Sequence, residues 1–315
     1  MGTNTNGGKR KKKLVLVKYM KKTILDIIKD RTVFFDGAMG TELIEKGLVL
    51  GDSAERFSAY FSDIITEIHK ANFDAGVDAI HTNTYGATII GLGKKLEGKI
   101  QQINLRQVEL ARSVCPKNGF VAGNVGPNAV LLERDGGEYT LAMLRESFDE
   151  QIEALVKGGV DLFSIETMYY IDEAIEAIKS AKENSDLPIM ASMTFDKGPD
   201  GYKTPIEGKT VKECIQQLEA VGADIVGCGC TLGSYEMIKL AKEIKDIATK
   251  PVIVQPTAGA PLTVAGKNLY PIDPERFAKD MLEIQKIGVE VLGGCCGTNS
   301  QHIKRMIEVV KKKKK

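Results

Sequence analysis

Aromatic residues are scarce in this chain: they make up 6% of it, and tryptophan is absent. Proteins that bind single-stranded nucleic acid stack bases on aromatic side chains, so this shortage argues against a nucleic-acid partner. Long hydrophobic runs are also missing, since the apolar run 14–17 is only four residues long and ends at Lys18. That is too short for a secretion signal or a membrane span. We therefore expect a cytoplasmic protein with no membrane partner.

Net charge is close to zero, at +1, but the charges are unevenly distributed. Residues 9–13 and 311–315 are each a run of five lysines or arginines, and removing these ten charges leaves −9 for the rest. Such runs are typical of solvated, disordered ends, although a basic tail can also bind nucleic acid or anionic lipid. We expect a disordered basic segment over 1–22, one folded domain over 23–310 and a basic tail over 311–315.

Short apolar runs alternate with longer amphipathic segments along the chain. The runs predict eight strands: Thr32–Asp36, Ala79–Asn83, Phe120–Val125, Leu162–Glu166, Pro188–Thr194, Ile225–Gly229, Pro251–Gln255 and Val289–Gly293. Four intervening segments end in a similar phrase, in which a glycine is followed by an apolar and then an acidic residue, at 75–78, 158–161, 221–224 and 287–290. Each phrase is typical of a helix that stops at glycine before a strand begins.

Eight strands with intervening helices and no break in composition predict an α/β fold, a single (β/α)8 TIM barrel. The alternative is a doubly wound open sheet. That fold calls for a glycine fingerprint after the first strand, and the sequence there is Asp36-Gly37-Ala38-Met39-Gly40, which lacks the spacing.

Active sites of such barrels lie at the carboxyl ends of the strands. These ends hold three cysteines, Cys230, Cys295 and Cys296, and the glycines around the last two free the backbone to turn. Three thiolates suit zinc and leave its fourth position for a substrate. Buried small residues or a redox pair are the alternatives for adjacent cysteines. We expect Cys115 and Cys214 to be core residues. Cys228 is either a core residue or, if the strand continues, on the same face as Cys230.

Histidine is rare, with three in 315 residues. The helical pattern places His69 on a helix surface, His81 lies inside the second strand, and His302 follows the last strand. None of the three is needed as a metal ligand.

Seven phrases together resemble the homocysteine S-methyltransferase family. They are FDGAMGTEL at 35–43, HTNTYGA at 81–87, GNVGPN at 123–128, IETM at 165–168, GCGCTLGSYEM at 227–237, QPTAGAP at 255–261 and GGCCGT at 293–298. The resemblance covers about residues 30–310 and is strongest to the homocysteine-binding barrel of cobalamin-dependent methionine synthases. It implies that the three cysteines bind Zn²⁺ and that the substrate thiol, as the fourth sulfur ligand, attacks an activated methyl group without a histidine base.

The resemblance also implies roles for residues around the metal. Asp36 and Glu166 would hold the amino group of the substrate, with a structural carboxylate as the alternative for each. The backbone amides of Gly37, Ala38, Gly40 and Thr41 would bind its carboxylate at a helix start. Thr257 would face the open metal position, and Asn83 and Tyr85 would face the methyl donor. The family usually has asparagine where this chain has Gly229 and Thr257, and these departures concern the identity of the thiol.

The donor has several possible sources. The phrases at 35–43 and 293–298 favour a methylcorrinoid carried by a separate protein, since the chain shows no cobalamin module. S-methylmethionine and S-adenosylmethionine are alternative donors. A zinc or thiol redox sensor is the alternative from another functional class. Connections after strands six to eight look short, so we expect an open mouth without a lid, and the charged loop 131–139 is a candidate partner contact.

Overall fold

The structure is a computed structural model that describes residues 22–49, 51–58, 60–264 and 267–312. The basic run 9–13, the short apolar run and the last three lysines lie outside these residues. Eight strands form one sheet: β1 Val33–Phe34, β2 Ala79–His81, β3 Phe120–Val125, β4 Leu162–Met168, β5 Ile189–Met193, β6 Ile225–Gly233, β7 Val252–Thr257 and β8 Val291–Leu292. They lie within a few residues of the predicted runs.

These strands are all parallel and pair in the order β1-β8-β7-β6-β5-β4-β3-β2. A parallel bridge between Phe35 and Ala79 joins β1 to β2 and brings the two sheet edges together. The fold is therefore a (β/α)8 TIM barrel, as predicted, and not an open sheet.

Helices fill the connections between the strands. They are α1 Ile24–Asp30, α2 Met39–Glu45, α3 Ala54–Phe57, α4 Ser62–Ala75, α5 Ile89–Leu92, α6 Ile100–Val114, α7 Leu141–Gly158, α8 Ile171–Asn184, α9 Val211–Val221, α10 Ser234–Ile247, α11 Pro274–Lys286 and α12 Ser300–Lys312. Within the described ranges, none of these helices combines the length and apolar character needed to cross a bilayer.

The repeated glycine phrase has a structural role at four places. Gly76, Gly159 and Gly222 adopt left-handed backbone angles at helix ends, which a residue without a Cβ reaches without steric cost. The acidic residue that follows accepts a hydrogen bond from a backbone N–H of the preceding strand. The pairs are Asp78 with Phe34, Asp161 with Val121, Asp224 with Ile189 and Glu290 with Val252, all at 2.8–2.9 Å. Each even strand is thus joined to the odd strand before it.

The barrel interior changes from apolar to polar along its axis. Its lower part is filled by alternate strand residues such as Val33, Ala79 and Ile253, and α1 closes that end with Ile24 and Ile28. Because strand side chains alternate between faces, the next inward positions toward the carboxyl ends are polar. These are His81, Asn124, Ser164, Glu166, Ser192 and Gln255. The packed floor therefore supports a polar upper layer.

Two expectations about surface features are wrong. The connection after β7 is not short, since an antiparallel hairpin, Leu262–Val264 with Lys267–Leu269, lies between Thr257 and α11. A second hairpin, Asp196–Gly198 with Gly201–Lys203, follows β5. His69 is buried rather than surface-facing, because it shares the buried side of α4 with Ile65, Ile68 and Asn72, and α4 is packed against α2, α6 and α12.

Candidate metal and substrate site

Cys230 owes its position to a break in the pairing of β6 with β7. The register shifts between Gly229 and Gly233, and Cys230 and Thr231 have φ of +60° and +50° there. Left-handed angles are strained for residues with a Cβ and recur at functional sites and bulges. The turn is held by Thr231, whose hydroxyl donates to Phe195 O at 3.0 Å. The strain places the Cys230 thiol at the mouth of the barrel.

The other two thiols lie on a tight loop after β8. Cys295 N donates to Pro256 O at 2.8 Å, and Cys296 O accepts from Ala258 N at 2.9 Å, so β7 fixes both residues. Thr41 Oγ1 accepts from Gly297 N at 3.2 Å, which ties the loop to α2. Gly297 has φ of +81°, and a Cβ there would lie 2.2 Å from the ring of Tyr270. The loop is therefore held on three sides.

The three sulfur atoms come together as the sequence predicts. Cys230, Cys295 and Cys296 have their Sγ atoms within 4.8 Å of one another, and the Cys230–Cys296 pair is 4.0 Å apart. Hydrogen bonds from the Cys230 and Cys295 thiols lower the pKa of Cys296, while the thiol contacts raise that of Cys295. The trio thus favours one shared thiolate even without a cation. Cys228 is buried and its pKa is raised by burial, so it stays a neutral core thiol.

A cavity of about 560 Å³ opens above the polar layer and includes the three thiols. The lining residues are Asp36, Gly37, Ala38, Met39, Gly40, Thr41, Gly51, Asp52, Ser53, Ala54, Glu55, His81, Thr82, Asn83, Tyr85, Gly86, Gly91, Leu92, Asn124, Glu166, Thr167, Tyr169, Cys230, Gln255, Gly294, Cys295 and Cys296. The volume matches that of small-molecule sites. Except for Thr257, every residue singled out from the sequence for this site lines the cavity.

Thr257 lies outside that lining. Its hydroxyl donates to Leu232 O at 3.1 Å and accepts from Gly259 N at 3.2 Å, so it is used within the loop structure. Gln255, two residues earlier, faces the cavity instead.

Helix α2, which the cysteine loop contacts through Thr41, begins at Met39, and no side chain of the described residues caps its first turn. The amides of this turn can therefore donate hydrogen bonds to an anion. Asn83 holds the start of α3, another part of the lining, by donating from Nδ2 to Ala54 O at 3.0 Å.

His81, which sequence reasoning did not assign to the site, lies between the two carboxylates. Its Nδ1 is 2.6 Å from Asp36 Oδ1, and its Nε2 is 3.5 Å from Glu166 Oε2. Burial by itself would lower the pKa of His81, but the charges of Glu166 and Asp36 outweigh it and raise the pKa to about 9. Burial raises the pKa of Glu166, and the nearby imidazolium opposes that shift.

Two more polar residues of the upper layer were also missed. Asn124 Oδ1 and Gln255 Oε1 are buried, have no hydrogen-bond partner among the described residues, and belong to side chains that line the cavity. Strand alternation gives the signal that finds them, since each lies two residues after an inward apolar residue. Unsatisfied buried acceptors are uncommon and indicate a missing donor.

Two tyrosines border the thiols. Burial and then the negative charge of the cysteines raise the pKa of Tyr169, and the same causes raise that of Tyr270 to about 12. Both phenols therefore remain neutral hydrogen-bond donors at physiological pH.

Comparisons with known proteins confirm the family resemblance that the sequence motifs predict. The family model described as homocysteine S-methyltransferase matches residues 33–310. The methionine synthase of Mycobacterium tuberculosis is 28% identical over 306 residues, which cover 91% of this chain and 25% of that protein. The Mycobacterium leprae methionine synthase is 27% identical with the same coverage. The chain thus spans about a quarter of the length of these curated relatives.

Solved structures share the fold. The metallated form of the homocysteine methyltransferase MmuM from Escherichia coli has a TM-score of 0.72 and 22% identity, covering 90% of this chain and 98% of that one. A methyltransferase from Methanosarcina mazei has a TM-score of 0.59 and 11% identity, covering 91% of this chain and 95% of that one. At these identities the likeness concerns the barrel architecture alone.

Proposed function

Because the chain belongs to the homocysteine S-methyltransferase family, we propose that it is a zinc-dependent enzyme that methylates the thiol of homocysteine or a similar thiol. The proposed donor is a methylcorrinoid carried by a separate protein. The observation that carries the proposal is the group of three thiols at the mouth of the barrel, beside a cavity lined by the buried Asp36 and the partly exposed Glu166.

The thiol geometry fits Zn²⁺. Tetrahedral zinc with Zn–S bonds of ~2.3 Å requires sulfur atoms about 3.8 Å apart. The Cys230–Cys296 separation is 4.0 Å, so only small side-chain adjustments are needed. Bound there, zinc would lower the pKa of the acceptor thiol and keep it as a thiolate at neutral pH. Cys230, Cys295 and Cys296 would hold it and leave one position open toward the cavity.

Zinc content tests this assignment. The purified chain is expected to retain one zinc, and the triple serine variant of Cys230, Cys295 and Cys296 is expected to lose it. Cys228→Ser is the matched control, because Cys228 lies on the same strand but is buried in the core. Full zinc retention by the triple variant would reject the proposed metal site.

The rest of the cavity suits an amino acid bearing the thiol. Glu166 provides an anion for the amino group, and the unpartnered oxygens of Asn124 and Gln255 provide further acceptors. The first turn of α2, from Met39 onward, would offer amides for the carboxylate, whereas the Gly37 and Ala38 amides already donate to Asn72 Oδ1 and Thr298 O. A thiol that carries both an amino group and a carboxylate, as homocysteine does, would thus be held at two points beside the cysteines.

The donor assignment follows the resemblance to methionine synthases. Incubation with methylcobalamin and homocysteine, followed by absorbance, is expected to show demethylation of the corrinoid with formation of methionine. A corrinoid protein from the same source serves as a second donor form. Turnover with S-methylmethionine or S-adenosylmethionine, and with neither corrinoid form, would reject the proposed corrinoid donor. It would not contradict the proposed acceptor site.

A redox sensor is the second candidate, and the 4.0 Å approach of the Cys230 and Cys296 sulfurs favours it, because a disulfide needs only a further ~2 Å of approach. Zinc stoichiometry under reducing conditions separates the two functions. A reduced chain without zinc that forms this disulfide reversibly would favour the sensor.

A further inference from the structure

We propose that His81 is a positioning residue, a fixed internal cation that neutralises Asp36 and leaves Glu166 as the one carboxylate that receives the amino group of the acceptor. This inference rests on the proposed function and deepens it. It revises the expectation that Asp36 and Glu166 bind the amino group together.

Both carboxylate oxygens of Asp36 are already engaged by the same residue. Oδ2 accepts from the backbone N–H of His81 at 3.0 Å, and Oδ1 accepts from its ring Nδ1 at 2.6 Å. The Asp36 side chain is 5% exposed, against 16% for Glu166. Each Asp36 oxygen therefore already has a hydrogen-bond donor in His81, whereas Glu166 is the more accessible of the two carboxylates that line the cavity.

The other ring nitrogen of His81 faces Glu166. Nε2 is 3.0 Å from Ser164 Oγ and 3.5 Å from Glu166 Oε2. An ionised carboxylate only accepts hydrogen bonds, so a ring with a carboxylate beside each nitrogen is best satisfied with a proton on both. The two carboxylates thus favour the imidazolium form, with Ser164 Oγ accepting from Nε2, and the pKa of His81 is raised to about 9 by the same charges.

The charges then balance for one ammonium group. Asp36 and Glu166 contribute two negative charges and His81 one positive charge, which leaves a single negative charge on the cluster. His69, on the α4 side, adds none, because burial lowers its pKa to about 4. Without the imidazolium, the two neighbouring carboxylates would repel each other and one would take up a proton. Glu166 would then no longer be a dedicated anion for the substrate.

Histidine NMR tests the protonation state directly in the zinc-loaded, full-length protein. The chain has three histidines, so isotope labelling at histidine gives few signals to assign. The His81 ring is expected to stay doubly protonated through pH 8, and in Asp36→Asn its titration should move toward neutral pH. A neutral His81 ring at pH 7 in the wild-type protein would overturn the proposal.

Binding measurements test the consequence for the substrate. Homocysteine is compared with 4-mercaptobutanoate, which has the same thiol and carboxylate but no amine, by calorimetry on the zinc-loaded protein. His81→Gln is expected to reduce the preference for homocysteine by roughly tenfold. The double variant D36N/H81Q restores one negative charge, so it should recover most of the preference. Glu166→Gln should abolish the preference without such rescue.

A purely structural role for His81 predicts a different result. The double variant would then lose at least as much preference as the worse single variant, and this outcome would overturn the proposal, as would an unchanged preference in His81→Gln. Failure of the wild-type protein to bind homocysteine would instead reject the proposed acceptor, and the amino-group role with it. Normal homocysteine binding with a neutral His81 would reject the charge balance alone.

Discussion

Gly297→Ala tests how closely the cysteine loop is packed. A Cβ at this position would lie 2.2 Å, 2.3 Å and 2.7 Å from three ring atoms of Tyr270, and the backbone φ is +81°. The left-handed conformation costs about 1–2 kcal/mol for a residue with a Cβ. Overpacking adds roughly 1–3 kcal/mol, because a rigid ring has to move. The free energy of unfolding should therefore fall by about 2–5 kcal/mol.

Gly76→Ala is the matched control. Its φ is +101°, but the nearest atoms to an added Cβ belong to Ile307 at 3.8 Å, which is ordinary contact, so only the backbone cost applies. Guanidinium denaturation gives both free energies of unfolding, and zinc content reports on the Cys296 loop. Gly297→Ala should be the less stable variant and should retain less zinc, and adding Tyr270→Ala should recover the packing part. Equal losses in the two glycine variants would refute the packing argument.

Three further predictions concern other contacts. Asp224→Ala leaves the N–H of Ile189 without its acceptor and should lower the free energy of unfolding, measured by chemical denaturation, by about 1–3 kcal/mol. The control is Asp246→Ala, which breaks an exposed ion pair and should lower it by less than about 1 kcal/mol. Burial lowers the pKa of His69 from 6.5 to about 4, so the unfolded chain binds a proton at a higher pH than the folded chain does. The free energy of unfolding should therefore fall by roughly 3 kcal/mol as the pH drops from 6.5 to 4. His69→Gln should remove this pH dependence from the denaturation midpoints. Thr41→Val removes the acceptor of a loop N–H and should weaken zinc affinity about tenfold in competition titrations, while Thr41→Ser, which keeps the hydroxyl, should not.

Much of the site could be predicted because it depends on strand order. In a parallel barrel all strands end at one face, so residues that follow apolar runs are brought together whatever their separation in sequence. This is why Cys230 and Cys296, 66 residues apart, could be paired before the fold was known. Asp36 and Glu166 reach the same cavity for the same reason.

Other features could not be predicted, since they depend on which side chains fill shared space. His81 and Gln255 had the right alternation, but a polar residue inside a strand run is equally compatible with a satisfied core position. Thr257 followed its strand as expected, yet neighbouring backbone groups engage its hydroxyl. The hairpin after β7 was missed because its strands are only three residues each.

The sequence by itself determined the barrel, the strand ends and the thiol trio, because these follow from local periodicity and from residue chemistry. Only the tertiary structure decided the charge state of the cavity. Whether Asp36 is free to bind a substrate depends on the cation next to it, and that cation comes from a neighbouring strand 45 residues away. Electrostatic pairing at 2.6 Å in a buried site is set by three-dimensional distance and desolvation, and neither quantity can be read from the linear order of residues.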